Sequence, residues 1–406
     1  MLDNLINSQL AKDRPAVEQP AHIWTRNFIL LCLASFAMFI SLQMLLPTLP
    51  VYLFEIGGDQ RDVGYMMGVY TISAMVMRPI AGWLVDHYGR KKIMLLSLIM
   101  VLAVTLLYKL ATDVSLMMVV RALHGLTLAL AGTAMATIVA DSLPTSRLGE
   151  GMGYFGLTST LSMALAPMIG FWLVGISGYQ ALFLAVSLMT LLAFCFSLPI
   201  RGTNAPCSAP VSSVTGIWIS LLEKTALPAS MVTFFLTAAY SSVISFIPLY
   251  TAELGIVNIG LFFTANSLTM LISRPIAGRW ADRGGASTVL LIGLLTMFIG
   301  MASIGLSHTI TGFVLAGAIV GLGFGFCVPT LQALAIRHTP PDRRGAATGT
   351  YYIAFDLGLG LGTIIWGYVA EAAGYQIMFF TTLIPLVLAG ASYYMRIEIS
   401  HEKEKI

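Results

Sequence analysis

Asp356 is the acid that falls near the middle of a long apolar run, in Tyr351-Tyr-Ile-Ala-Phe-Asp356-Leu-Gly358-Leu-Gly360. A carboxyl in such surroundings is costly when ionised, so it offers either exchange of a proton or an ion pair with an arginine. Arg121 and His124 stand one helical turn apart in a second apolar run, Arg121-Ala-Leu-His124-Gly125. The guanidinium would tune a proton site, meet an anionic group of a ligand, or hydrogen-bond to its neighbours. The imidazole, whose ordinary titration lies near neutrality, would exchange a proton or simply pack. A third polar stretch runs from Arg78 to Lys92, with Gly82, Asp86, Gly89 and the cations Arg90, Lys91 and Lys92. It forms a short clasp between two apolar segments.

Other chemistries leave no trace in the chain. There is no phosphate-binding glycine loop, no nucleophile elbow and no cluster with metal-ligand spacing, so neither enzyme activity, a cofactor nor a metal is expected. The net charge of +3 is too small and too dispersed for a nucleic-acid partner. Cys32, Cys195 and Cys327 fall in apolar segments and Cys207 in a polar linker, which implies no disulfide framework.

The elements that carry these residues follow from composition. With 57% hydrophobic and 10% charged residues over 406 positions, the apolar side chains cannot all be hidden in one soluble core. The chain therefore reads as an integral membrane protein. Twelve spans are predicted near 27–53, 63–85, 92–111, 114–140, 148–176, 179–200, 227–253, 259–281, 288–306, 309–336, 345–372 and 375–396. All must be helices, because amides in hydrocarbon have to be satisfied within the segment. The polar start, with Pro15 and Pro20, does not resemble a cleaved signal peptide, so residues 1–26 are expected to be a cytoplasmic tail. The Pro-, Ser- and Thr-rich stretch 201–226 separates a first bundle, 27–200, from a second, 227–397, with a short tail at 398–406. Of the 22 Lys and Arg, three lie within spans (Arg78, Arg121, Arg274) and Arg61 and Lys109 on one side. The remainder crowd the side of the clasp, both termini and the linker, which should be cytoplasmic.

The halves are repeats. Arg78-Pro-Ile-Ala-Gly82, Asp86 and Gly89 return as Arg274-Pro-Ile-Ala-Gly278, Asp282 and Gly285, each displaced by 196 positions. At that offset Pro144 matches Pro340, Arg147 matches Arg343, Gly149 matches Gly345, Gly153 matches Gly349, and Gly178 matches Gly374. An even number of spans in each half gives the two copies the same orientation, about an axis along the membrane normal.

Gly82-x-Leu-x-Asp86-x-x-Gly89-Arg90-Lys91-Lys92, with the six-plus-six repeat, resembles the loop between helices two and three of the major facilitator superfamily. The resemblance implies a transporter that works by alternating access, taking a small molecule and a bilayer as its partners. Arg121-x-x-x-Gly125 resembles a motif of the family's proton-coupled members. Gly153, Gly156, Pro167 and Gly170 resemble the bend of its antiporters, with Ala166 and Phe171 departing from the motif's glycines. In that reading Asp86 neutralises a helix N-terminus or a cation across the bundle interface, and the glycines permit close approach. The copy loses its cations after Asp282, where Ala286-Ser-Thr stands, so the stronger latch is expected in the first half. Gln43, Tyr240, Asn266, Gln332 and Tyr351 are candidates to line a cavity. Proton-driven export of an apolar or amphipathic molecule across the cell membrane is expected, by a monomer, with efflux of a polar metabolite as the alternative.

Overall fold

The computed structural model describes residues 22–58, 60–201, 222–256, 259–337 and 339–403. Most of the expected tails and linker lie outside them. Helix α1 spans Arg26–Glu55, α2 Gln60–Tyr88, α3 Arg90–Leu107 and α4 Val114–Ser142. A single rod, Leu148–Ser197, breaks at Gly178, whose φ of 72° is left-handed, and so holds two spans, α5 and α6. The second half runs through α7 Leu227–Glu253, α8 Gly260–Trp280, α9 Ala286–Leu306 and α10 Ile310–Arg337. The rod Arg344–Thr381 breaks likewise at Gly374 (φ 82°), giving α11 and the start of α12, which continues as Leu383–Lys403. Among the described residues that makes twelve long helices, the number the sequence predicts.

Among the described residues nine helices are long and apolar enough to cross a membrane, and two of these are the double-length rods. Helix α8, which carries Asn266, Arg274 and Arg279, is the remaining span. The repeat is written into the backbone: Gly57 and Gly255 are left-handed at φ 90° and 69°, as are Gly178 and Gly374. It fails at Gly89, which turns sharply at φ 92°, while its counterpart Gly285 ends a π-helical turn, Ala281–Gly285, that leads directly into α9.

Each half has its own core. Phe28, Met38, Met94 and Met152 pack in the first, with Tyr52, Tyr108 and Phe183 toward the end away from the clasp, while Met297, Phe313, Tyr351 and Phe379 fill the second. Leucine, isoleucine and valine side chains and Trp172 are exposed around the outside, as a lipid-facing surface requires. The halves meet along two matched seams, α2 against α11 and α8 against α5.

The chain enters the second bundle through a fixed contact. The Glu223 amide donates to Thr350 Oγ at 2.9 Å, and its carboxylate pairs with Arg343. Burial alone would push the Glu223 carboxyl up, but the Arg343 guanidinium and the amide and hydroxyl of Thr225 hold it below its ordinary value. A depressed carboxylate contributes stability that is complete above its unfolded pKa and lost as pH falls through the folded value. Glu223→Gln is therefore expected to lower the melting temperature at pH 7 and to narrow the gap to wild type at about pH 3 to 4. An equal deficit at both pH values would show that this ion pair adds nothing.

Candidate functional site

The clasp closes one end of the molecule through two carboxylates that reach across the seams. Asp86, at the end of α2, accepts from the amides of Gly345 and Ala346 at 2.8 Å each. Its copy Asp282 accepts from the amides of Gly149 and Glu150 at 2.9 and 2.8 Å. Both pairs of amides open a helix, α11 in one case and α5 in the other, where unsatisfied N–H groups and the helix dipole attract an anion. Glycine is required by space: a Cβ on Gly82 would stand 2.6 Å from the Gly345 carbonyl oxygen, and one on Gly278 would collide with the carbonyl of Gly149.

The cations around the two carboxylates bear on the expectation that the stronger latch lies in the first half. Arg90 lies 3.7 Å from Asp86, pairs with Asp141 and donates to the Pro341 carbonyl, while Arg344 meets Asp141 at 3.0 Å. In the second copy position 286 is alanine, yet Arg337 pairs with Asp282 at 3.1 Å. Arg337 occupies the repeat position of Asp141. The cation has moved from the loop to the end of α10, and Glu150 gathers Arg147 at 2.6 Å and Arg279 at 2.5 Å beside it. Lys91 faces away from the latch and donates to the Leu198 carbonyl at 3.0 Å.

Deeper along the same seam, Arg78 Nε donates to Asp356 Oδ2 at 3.0 Å, joining α2 to α11 with side chains only 15% and 18% exposed. Arg78 also stacks over the Tyr352 ring at 4.4 Å and reaches the Ala129 carbonyl at 3.4 Å. Gln332 donates to the Tyr352 hydroxyl at 3.1 Å, which ties it into the same group. The copy, Arg274, crosses the other seam to the Gly156 carbonyl and lies 3.5 Å from Ser159, but faces no acid, since Thr160 stands where Asp356 would. Among the described residues there is thus one ion pair between the halves at this depth, where the repeat alone would allow two.

The remaining candidates divide. Arg121 and His124 are fully buried inside the first bundle, around Tyr70 and Tyr108. The glycines of α5 serve two neighbours. Gly153 and Gly156 lie against Arg274 of α8, and Gly170, one turn beyond Pro167, lies against Met44 and Thr48 of α1. Gln43 is half-buried on α1. Three cavity candidates are corrected. Tyr240 stacks on Phe324 at 3.9 Å and donates to Asn266, whose amide donates in turn to the Gly317 carbonyl, and Tyr351 is 1% exposed with its hydroxyl on the Val328 carbonyl. These side chains hold the second bundle together. Sequence reasoning missed Tyr70, Tyr108, Tyr352, Asp141, Glu150 and Arg337. Only the last could have been found, because the 196-residue offset sets an acid against a cation at positions 141 and 337.

Comparison with known proteins bears on the whole chain. The family model described as Major Facilitator Superfamily matches residues 31–257 and 229–405. The chain is 24% identical over 357 residues to the staphylopine export protein of Staphylococcus aureus, covering 84% of this chain and 89% of that one. It is 24% identical over 386 residues to the multidrug resistance protein MdtG of Salmonella paratyphi C, covering 91% and 95%. The crystal structure of the transporter FucP in its outward conformation superposes with a TM-score of 0.74 at 16% identity, over 91% of this chain and 97% of that one.

Proposed function

Because the chain belongs to the major facilitator superfamily, and is therefore a multi-pass membrane transporter and not an enzyme, we propose that it exports a small apolar or amphipathic molecule in exchange for protons. The observation that carries the coupling is the Arg78–Asp356 pair, which joins the two bundles 3.0 Å apart at the inner end of the clasp seam. In this reading the clasp faces the cytoplasm of the cell that holds the protein in its membrane, both termini lie on that side, and the closed clasp belongs to the outward-facing state.

The cycle follows from charge. With Asp356 ionised, the pair and the two latches hold the cytoplasmic end shut. A proton taken from outside neutralises Asp356, so Arg78 loses its counter-ion and the seam loses its deepest polar contact. The bundles can then part at the clasp, and the proton leaves inward. Cargo entering from the cytoplasm returns the protein to the state in which Arg78 and Asp356 meet again. The likeness to two proteins named for export and for multidrug resistance supports the outward direction and the small-molecule cargo.

The experiment is transport by wild-type protein in proteoliposomes under an imposed proton gradient. A lipophilic dye and a small polar amino-acid-like solute are offered separately. Counter-movement of dye and protons, abolished by a protonophore, is the expected result. Cargo flux that is indifferent to the protonophore would refute proton coupling, and movement of the polar solute alone would replace the amphipathic cargo by a polar one.

A further inference from the structure

A cation without an anion lies deep in the first bundle. Arg121 is 0% exposed. Its guanidinium stacks over the Tyr70 ring at 4.4 Å, reaches the Tyr108 hydroxyl at 3.5 Å and the Met67 sulfur at 3.6 Å, and its Nε has no partner. Among the described residues no carboxylate stands within ion-pairing distance of it. His124, equally buried, meets the Tyr108 hydroxyl through Nδ1 at 2.9 Å and leaves Nε2 without a partner. A buried charge with no counter-charge is among the costlier features a membrane helix can carry.

The fold itself does not demand that cation. At the repeat offset Arg121 corresponds to Gly317, Tyr70 to Asn266, His124 to Val320 and Tyr108 to Ile304. There the same place is filled without charge, with the Asn266 amide donating to the Gly317 carbonyl at 3.1 Å. The second bundle shows how this position packs when it has only a structural role. The first bundle departs from it with one cation and one unsatisfied imidazole nitrogen. The place also borders the seam: Tyr70, which covers Arg121, is only partly buried and lies within electrostatic reach of Arg78 and Asp356.

We propose that Arg121, with Tyr108 and His124, is a receiving site behind Tyr70 for the carboxylate of the transported molecule, so that the cargo is an amphipathic organic acid carrying one negative charge. This rests on the export reading above and narrows its substrate class. A guanidinium suits a carboxylate because its planar donors match the two oxygens. A single cation in apolar surroundings balances one negative charge and not two, which favours a carboxylate over a phosphate dianion. The apolar part of such a molecule would extend past Tyr70 toward the space between the bundles.

The test uses purified full-length protein and two probes that differ in one charge, dansylglycine and its methyl ester. Dansylglycine is expected to raise the melting temperature of the wild type, with the ester giving no shift, and Arg121→Gln is expected to lose the response. In proteoliposomes Arg121→Lys, which keeps the charge but not the fork, should raise KM for dansylglycine by about tenfold, the difference of roughly one charge-assisted hydrogen bond, with kcat nearly unchanged. Should Arg121→Gln fail to fold, the KM effect in Arg121→Lys decides. Equal stabilisation by acid and ester, an undiminished response in Arg121→Gln, or stabilisation by chloride alone would overturn the proposal. If wild-type protein binds dansylglycine selectively but moves no probe, the export reading fails and the carboxylate site stands.

Discussion

Asparagine at position 356 is expected to uncouple transport from the proton gradient, and alanine at position 78 to open the clasp. The two variants remove opposite halves of the same contact, Arg78 Nε to Asp356 Oδ2 at 3.0 Å, so their consequences differ in kind. Asp356→Asn leaves a neutral amide beside Arg78 whatever the pH, which mimics the protonated acid and should favour the open clasp. Flux down a cargo gradient should persist, while a proton gradient should no longer drive accumulation. Arg78→Ala instead strands a carboxylate in the seam and removes the stacking on Tyr352. Breaking a fully buried pair costs about 3–5 kcal/mol. Both side chains here keep some exposure, so about 2–3 kcal/mol is the better expectation, or a roughly 30- to 150-fold shift away from the closed clasp. The double variant, Arg78→Gln with Asp356→Asn, carries no stranded charge and should recover most of the closed population without regaining coupling. Distances between spin labels at Tyr88 and Pro341, exposed on opposite halves of the clasp, would read the closed fraction, and proteoliposome flux the coupling. Persistent proton-driven accumulation in Asp356→Asn would remove this acid from the mechanism. A double variant as open as Arg78→Ala would remove the pair from the seam's energetics.

The second large effect concerns the two latches. Asparagine for Asp86 or Asp282 replaces one accepting oxygen by an NH2 group that faces an amide donor, so each substitution loses one hydrogen bond and the charge at a helix N-terminus. At about 1.5–3 kcal/mol for a hydrogen bond to a charged group, each variant should shift the clasp equilibrium by roughly 10- to 150-fold. The geometry makes the two copies comparable, with two amides and an arginine around each carboxylate. Label pairs at Tyr88 with Pro341 and at Thr145 with Arg283 should therefore report similar opening for the two single variants, and the double variant should be open by the sum. Silence of Asp282→Asn would place the stronger latch in the first half, as the sequence suggests.

That suggestion shows where sequence reasoning reaches its limit. Twelve spans, two halves and the clasp were legible because each rests on composition or on register, which the 196-residue offset checks position by position. The partner of Asp86 was legible as a class, a helix end or a cation, because few groups can satisfy an acid between bundles. The partner of Asp356 was legible only as an arginine and not as Arg78, since that residue lies 278 positions away and its approach depends on how two bundles meet. Tyr240, Asn266 and Tyr351 misled for a related reason. The helices of Tyr240 and Tyr351 are mostly apolar all round, and α8 carries polar residues on more than one side, so no stripe distinguishes a face turned to a cavity from one turned to a neighbour. The latch cation of the second copy was not legible in the loop that lost its arginine, because Arg337 stands at the end of α10, 55 positions from Asp282.

Each latch is built from a side chain on one half and main chain on the other, and this sets where inheritance can damage it. An amide N–H is present whatever residue carries it, proline excepted, so most changes at Ala346 or Glu150 leave the donor in place. Gly345 is barred from change for a different reason, because a Cβ there would stand 2.6 Å from an Asp86 oxygen. Alleles that damage the closure should thus concentrate on the two aspartates and the glycines that let the backbones meet, while the second residue of each receiving helix end keeps its donor under most substitutions. Glu150 and Ala346 differ in the two copies, and the bond they share survives because it is made by the main-chain N–H, leaving the Glu150 carboxylate free to gather Arg147 and Arg279.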